Sequence, residues 1–363
     1  MTDCATILES VLTGRRLNES DTLTLFESGR LLELGLAADA VCRRMHPEAY
    51  RTYVVDRNIN YTNICTSKCR FCAFWRDADS PEAYLLPDEE VHRKIREAVD
   101  LGATQILMQG GLHPDLRIEW YERLVAGIKT RFDIDLHSFS PPEIVHIAKV
   151  SGLTVEETIR RLRDAGLDSI PGGGAEILSD SSRNAVSPGK CSADQWIGVM
   201  ETAHTLGMRT TATMMFGHTE TYADRIEHLS RIRALQDRTD GFTAFIPWTF
   251  QPSNTDLGGQ PVGSYEYLRT LAISRLFLDN VANLQASWVT QGAKIGQISL
   301  RFGANDLGST MIEENVVAAA GVRFRMSEQE LREAISGAGF VPRRRDTYYN
   351  LLENPGVGSQ EPE

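Results

Sequence analysis

The sequence predicts an α/β fold: a (β/α)8 barrel of the TIM type over residues 51–352, preceded by a helical segment over residues 1–50. Three observations carry this expectation. Eight short β-type runs alternate with helical stripes; each run ends in glycine or polar residues; and the eight units span about 250 residues, the count and size of such a barrel. The remaining residues, 353–363, are rich in Pro and Gly and read as a disordered tail.

Each element has a local reason. Before Tyr50, apolar Leu31, Leu32, Leu34, Leu36 and Val41 with few turn signals read as helices that cap the main domain. From Pro87, Asp88 can cap a helix with the stripe Val91, Ile95 and Val99, which Gly102 ends. Thr154 with Glu157, and Ser192 with Gln195, have capping-box spacing and open two further helices. The strand candidates are residues 58–63, 104–108, 134–139, 169–170, 210–215, 243–246, 284–288 and 298–302.

Composition narrows the function. The formal net charge is −11 and the basic residues form no run beyond Arg343-Arg344-Arg345, so a nucleic-acid or anionic-membrane partner is not expected. No apolar run approaches a membrane span and the first residues lack a signal-peptide core. Six cysteines without a framework of spacings point to a reducing cytoplasm. Cys4, Cys42 and Cys191 are scattered and read as small hydrophobes.

The other three are not scattered. Cys65, Cys69 and Cys72 put three thiolates within eight residues, with no fourth cysteine nearby. Soft sulfur ligands suit zinc or an iron–sulfur cluster. A structural zinc site closes with four ligands, so a zinc knot would need a distant His, Cys42 or Cys191. A [4Fe–4S] cube held by three cysteines instead leaves one iron open to a small molecule. CxxxCxxC with an aromatic residue, Phe71, before the last cysteine resembles the signature of the radical S-adenosylmethionine enzymes. That resemblance implies that the methionine moiety chelates the open iron and that an electron from the cluster releases a 5′-deoxyadenosyl radical. The superfamily also contains barrels of six units, so a partial barrel with a C-terminal extension is the alternative architecture.

Barrel active sites lie where the strands end, and polar residues gather at that rim. Gln109-Gly110-Gly111 follows the second strand, Gly172-Gly173-Gly174 with Glu176 the fourth, and Gly217-His218 the fifth. The glycines let backbone amides approach a ligand, although each also reads as a plain strand-to-helix turn. In the enzymes this chain resembles, such glycines cradle the methionine and ribose and a carboxylate takes the ribose hydroxyls, which makes Glu176 the candidate and places Phe71 near the adenine or the cluster. Leu112 stands where those enzymes carry a glutamate after Gly-Gly, which leaves the methionine ammonium to Gln109 or a carbonyl. His137, Ser140, Gln251, Thr290 and Asn305 are the candidate substrate contacts; Arg301 pairs with a substrate carboxylate or with a barrel acid.

More of the chain carries a narrower resemblance. NINYTNIC, CRFCAFWR, GGLHPDL, HSFSPPEI, LDSIPGGGAEIL, TTATMMFGH, FTAFIPWTFQP, QASWVTQG and RFGANDLGSTMIEENV together resemble the dehypoxanthine futalosine cyclases of the futalosine route to menaquinone. The resemblance covers roughly residues 50–352. It implies abstraction of the substrate's ribose C4′ hydrogen, attack of the carbon radical on the attached aromatic ring, and loss of one electron and one proton. Asp306, His218 and Glu176 are the candidate bases. A flavodoxin or ferredoxin would prime the cluster. Sibling activities, aminofutalosine synthase and the deazaflavin-chromophore enzymes, are the alternatives within the superfamily. A non-catalytic iron–sulfur electron carrier or a zinc-stabilised scaffold is the alternative outside it.

Overall fold

Ten strands are present in the computed structural model, which describes residues 3–322 and 324–352; the tail expected at 353–363 lies outside them. They are β1 Tyr50–Val54, β2 Asp56–Ile59, β3 Gln105–Met108, β4 Asp135–Ser138, β5 Ser169–Ile170, β6 Arg209–Phe216, β7 Phe242–Thr249, β8 Asn283–Leu284, β9 Asp306–Ser309 and β10 Val341–Arg344. Strands β2 to β8 form one parallel sheet in chain order, and β10, β1 and β9 form a second. Only Val55 separates β1 from β2, so one bent run joins the sheets.

The ring is completed on the far side. Gln285, just past β8, bridges Asp306 of β9. Asn305 N–H donates to the Leu284 carbonyl at 3.1 Å and Ala286 N–H to the Asp306 carbonyl at 2.9 Å. Strand β9 then pairs with β1 through Thr52 opposite Asp306 and Val54 opposite Ser309, with a register shift between them. Gly308 (φ +84°) makes that irregularity possible: a Cβ there would lie 2.8 Å from Gln285 Nε2. The expected barrel therefore forms, with β1–β2 and β9 as neighbours.

Three expected strands differ. The first, expected over residues 58–63, is β2 at Asp56–Ile59, and residues 60–63 lie beyond its end. Residues 298–302 end the helix Ala293–Ser299, and Ile298 is 41% exposed while Leu300 is buried. The eighth strand is the polar β9, whose Asp306-Leu307-Gly308-Ser309 carries no apolar alternation to betray it. Residues 284–288 supply only the end of β8, because Trp288 opens a short helix and its Nε1 donates to the Ser309 carbonyl at 3.0 Å.

The N-terminal segment is three helices, α1 Cys4–Leu12, α2 Glu19–Ser28 and α3 Leu31–Met45. Helix α3 buries Leu34, Ala38 and Val41 at helical spacing and packs on the helix Ser264–Phe277. Leu32 and Leu36 are instead 73% exposed. Arg16 ties the segment down by pairing with Asp237 (2.7 Å) and Asp279 (2.8 Å). The helix Asp88–Asp100 has Pro87 at its N-cap position with no side-chain cap, and buries Ala98 where Val99 was expected; Val99 is 38% exposed. The capping box at Ser192 and Gln195 is complete, and Thr154 accepts from the Glu157 amide.

Two imidazoles in this core make stability acid-sensitive. Burial pushes His137 and His228 each down to about 3. The unfolded chain therefore binds more protons between about pH 6.5 and about pH 3, and stability falls as pH drops through that window. Each contributes a loss of about 1.4 kcal/mol per pH unit once pH is below about 6.5. Chemical unfolding at about pH 5.5 should show a lower midpoint than at about pH 7.5, and His228→Gln should weaken that dependence.

Candidate active site

Strand β2 delivers the cysteine loop to the C-terminal end of the barrel. The loop is held by backbone bonds: Cys65 N–H to the Arg76 carbonyl (3.1 Å), Arg70 N–H to the Val186 carbonyl (2.9 Å) and Cys72 N–H to the Cys69 carbonyl (3.1 Å). Cys69 is buried, its sulfur 3.2 Å from Ser67 Oγ, and burial pushes its thiol up to about 11. Burial also raises Cys72. Cys42 lies against Arg51 and Cys191 against Arg183, as buried free thiols, and Cys4 on α1 is half-buried.

Two strand-end segments run from this loop into the barrel. After β3, a Cβ on Gly111 would lie 2.1 Å from the Ile64 carbonyl oxygen and 2.9 Å from Cys65 Cβ, so only glycine lets the chain pass beneath the loop. The Gly111 amide is spent on the Thr62 carbonyl (2.9 Å) and the Gly110 amide on Glu143 Oε1 (2.9 Å). These glycines position the loop, and their amides are already bonded within the protein. Ser140 is likewise committed, donating its hydroxyl to Glu143 Oε2 at 2.6 Å as a helix cap, which corrects its reading as a substrate contact.

After β5, Gly172 donates its amide to Thr211 Oγ1 (3.0 Å), and the Gly173 carbonyl accepts from Trp196 Nε1 (3.1 Å). A Cβ on Gly173 would lie 2.3 Å from Gln109 Nε2, so the two segments meet there. Gly174 (φ +72°) turns against Pro142 and leads to Glu176. Glu176 is buried and ion-paired with Lys190, and its Oε2 has no hydrogen-bond partner, Arg183 standing 3.9 Å away. Lys190 lies over the Phe71 ring at 5.0 Å. Burial works against its charge, but Cys69 and Glu176 outweigh that and raise its pKa.

The donor set fits an iron–sulfur cluster. Three soft thiols share one loop, and beside them stand a buried ammonium and a carboxylate oxygen without a donor. Among the described residues no fourth His, Cys, Asp or Glu joins the three cysteines as the closed ligand set of a structural zinc site would need. A cube spreads its thiolates over separate irons. Cys65, Cys69 and Cys72 would hold it, and Glu176 with Lys190 would meet a polar molecule placed next to it.

Beneath the loop, inside the barrel, lies a cavity of about 260 Å³. Its wall follows the two-residue alternation of the strands: Val54, Asp56 and Asn58; Gln105, Leu107 and Gln109; Thr211 and Thr213; Ile246 and Trp248. Gln109, Gly172, Gly173, His137 and Thr290 are the expected site residues that line it. His137 bonds Ser169 Oγ (2.9 Å) and Thr211 Oγ1 (3.2 Å). At the value given above it is neutral in ordinary buffers. Thr290 Oγ1 is 3.0 Å from Ser287 Oγ.

Several expected residues lie elsewhere. Asp306 is fully buried in the ring closure. Arg345 Nε (2.6 Å) and Thr52 Oγ1 (2.6 Å) reach its Oδ2, and the Gly308 amide (2.8 Å) reaches Oδ1, so it has no face on the cavity. Asn305 clasps β8 to β9, its Oδ1 accepting from Leu284 N–H and from Arg275, both at 2.8 Å. Arg301 points away, donating to the Ala338 carbonyl (2.9 Å) and stacking on Phe340 (4.2 Å). Gln251 folds back on Thr249 (3.0 Å). The Gly217 amide is taken by Glu220 Oε1 (2.6 Å). His218 has a buried side chain off the cavity wall, its Nδ1 accepting from Thr219 N–H (2.7 Å). Burial holds it below the ordinary imidazole value.

The cavity also carries residues that the strand-end reading missed: Asp56, Asn58, Glu314, Arg345 and Tyr349. Asp56 and Asn58 had a signal, being polar at alternate positions of a barrel strand. Glu314 sat within the quoted STMIEENV, and Arg345 within the only basic run.

Relatives decide the family. Residues 59–232 match the family described as Radical SAM superfamily, and residues 239–357 the CofH/MqnC C-terminal region. A protein of Halalkalibacterium halodurans named cyclic dehypoxanthine futalosine synthase is 48% identical, over 95% of this chain and 94% of its own. One of the same name from Streptomyces coelicolor is 47% identical, over 96% and 89%. The chain belongs to the cyclic dehypoxanthine futalosine synthase family of radical S-adenosylmethionine enzymes. An Archaeoglobus fulgidus protein named 5-amino-6-(D-ribitylamino)uracil–L-tyrosine 4-hydroxyphenyl transferase is also related, at 44% identity over 83% of this chain and 89% of its own. Among solved structures, methylornithine synthase superposes with a TM-score of 0.73 at 18% identity, over 93% of this chain and 97% of that one, which shows a shared fold. Membership of this family implies a [4Fe–4S] cluster and S-adenosylmethionine.

Proposed function

We propose that this enzyme cyclises dehypoxanthine futalosine to cyclic dehypoxanthinyl futalosine in menaquinone biosynthesis. The observation that carries the reading is the pair of strand-end segments, Gln109–Gly111 and Gly172–Glu176, that join the cysteine loop to the barrel cavity. The two relatives at 47–48% identity carry the name cyclic dehypoxanthine futalosine synthase, against 38–39% for transferase-named relatives of similar coverage. When bound, the cluster and S-adenosylmethionine supply a 5′-deoxyadenosyl radical that takes the ribose C4′ hydrogen. The protein's own task is to hold substrate and exclude water and stray hydrogen donors.

The cavity is suited to that task. Trp248 and Trp288 offer apolar surface to an aromatic ring, and Gln109 and Thr290 offer hydrogen bonds to ribose hydroxyls, while His137, held by Ser169 and Thr211, shapes the wall. Glu176 and Lys190, with Phe71, stand beside the cysteine loop for the sulfonium's ribose and methionine portions. A flavodoxin or ferredoxin would supply the priming electron. Among the described residues no helix is long and apolar enough to cross a membrane.

The archaeal relatives favour a second reading, transfer of a tyrosine-derived aryl group to a ribityl uracil. Anaerobic incubation with S-adenosylmethionine, reductant and substrate deuterated at C4′ separates the two. Label in 5′-deoxyadenosine together with a spiro product is expected. Unlabelled deoxyadenosine, or turnover with tyrosine instead, overturns the cyclase reading.

A further inference from the structure

The cyclisation ends on a proton. Attack of the C4′ radical on the ring forms a C–C bond and leaves a ring radical with one tetrahedral C–H carbon. Breaking that C–H bond gives one proton to a base and one electron to an oxidised iron–sulfur cluster, and the ring becomes aromatic again. Asp306 is locked by Arg345, His218 is off the cavity wall, and Glu176 is bound to Lys190. The cavity wall itself holds two carboxylates, Asp56 and Glu314.

These two differ in commitment. Asp56 accepts on both oxygens, from Gln105 Nε2 (2.7 Å) and from Ser309 Oγ, and is buried at the N-terminal end of β2, the end opposite to where barrel chemistry occurs. Glu314 follows β9 at the C-terminal end, where barrel chemistry occurs. Its Oε1 accepts from the Val316 (2.8 Å) and Val317 (2.9 Å) amides, which is an ordinary helix cap. The cap does not explain Oε2. That oxygen takes a single bond, from Asn58 Nδ2 at 2.7 Å, and Asn58 Oδ1 is itself buried without a partner. A residue of the cavity wall therefore carries a carboxylate oxygen with an unused lone pair, steered by an amide of the same wall that has no other duty.

We infer that Glu314 accepts the ring proton in the rearomatising step, with Asn58 as the residue that orients its Oε2. The inference rests on the cyclase reading. Burial pushes the Glu314 carboxyl above its ordinary value against the Val317 and Asn58 bonds, which suits a base that must also release its proton.

Glu314→Gln is the test. The amide oxygen can still cap Val316 and Val317, and an Asn58 flip offers an acceptor to the new NH2, so the fold is kept. With C4′-deuterated substrate, E314Q should still place label in 5′-deoxyadenosine while cyclised product per deoxyadenosine falls about 100-fold. Product per deoxyadenosine at the wild-type level in E314Q overturns the role of Glu314. Loss of labelled deoxyadenosine in E314Q overturns it too, since the residue would then act before the proton step. Failure of the wild-type enzyme to move label from C4′ instead sinks the cyclase reading itself.

Discussion

Asp306→Ala is expected to destabilise the protein by about 3–5 kcal/mol, the cost of leaving a buried charge without its partner. The stranded charge is Arg345. Its guanidinium is buried, held by Asp306 through Nε at 2.6 Å and through a second nitrogen at 3.1 Å. The substitution also frees Thr52 Oγ1 and the Gly308 amide, which close the ring between β1 and β9. Urea unfolding would read the loss as a lower midpoint with little change in slope. Pairing Asp306→Asn with Arg345→Met removes both charges and should recover most of the stability, because a buried ion pair is worth little against an apolar replacement of its volume. A single Asp306→Ala within about 1 kcal/mol of wild type would show that β9 does not hold the ring shut.

This network also explains where sequence reasoning failed. The barrel was legible because helices such as Ala193–Thr205 announce themselves with caps and a buried stripe, and because strands such as β3 are apolar and end in glycine. Strand β9 was not legible. Its Asp306 and Ser309 face partners 254 and 253 residues distant, Thr52 and Asp56, and a one-dimensional pattern cannot show that a polar run is buried by partners elsewhere in the chain. The same blindness turned Asp306 and Asn305 into candidate site residues, since a polar residue that closes a barrel and one that meets substrate look alike in sequence. The cysteine triad was legible for the opposite reason: three thiols at fixed short spacing have few structural uses. The cavity lay between these cases, with Asp56 and Asn58 visible in the alternation of β2 and Glu314 visible only as part of a longer motif.

The triad carries the largest expected effect on activity. Cys65→Ala, Cys69→Ala and Cys72→Ala should each lose the iron–sulfur absorption on anaerobic reconstitution and reduce 5′-deoxyadenosine formation to background. Each removes one of three thiolates that have no spare: Cys42 and Cys191 are buried beside Arg51 and Arg183, held by their own helix and loop. Cys191→Ala should therefore keep both cluster and activity. Ser67→Ala is the graded control. Its hydroxyl lies 3.2 Å from Cys69 Sγ, so its loss should weaken the cluster by the about 10–100-fold typical of an outer partner and leave turnover detectable. Iron and sulfide analysis alongside deoxyadenosine release measures all five proteins. If Cys69→Ala retained a full complement of iron and wild-type turnover, some other donor would be holding the metal, and the geometry argued from the β2 loop downward would have to be abandoned.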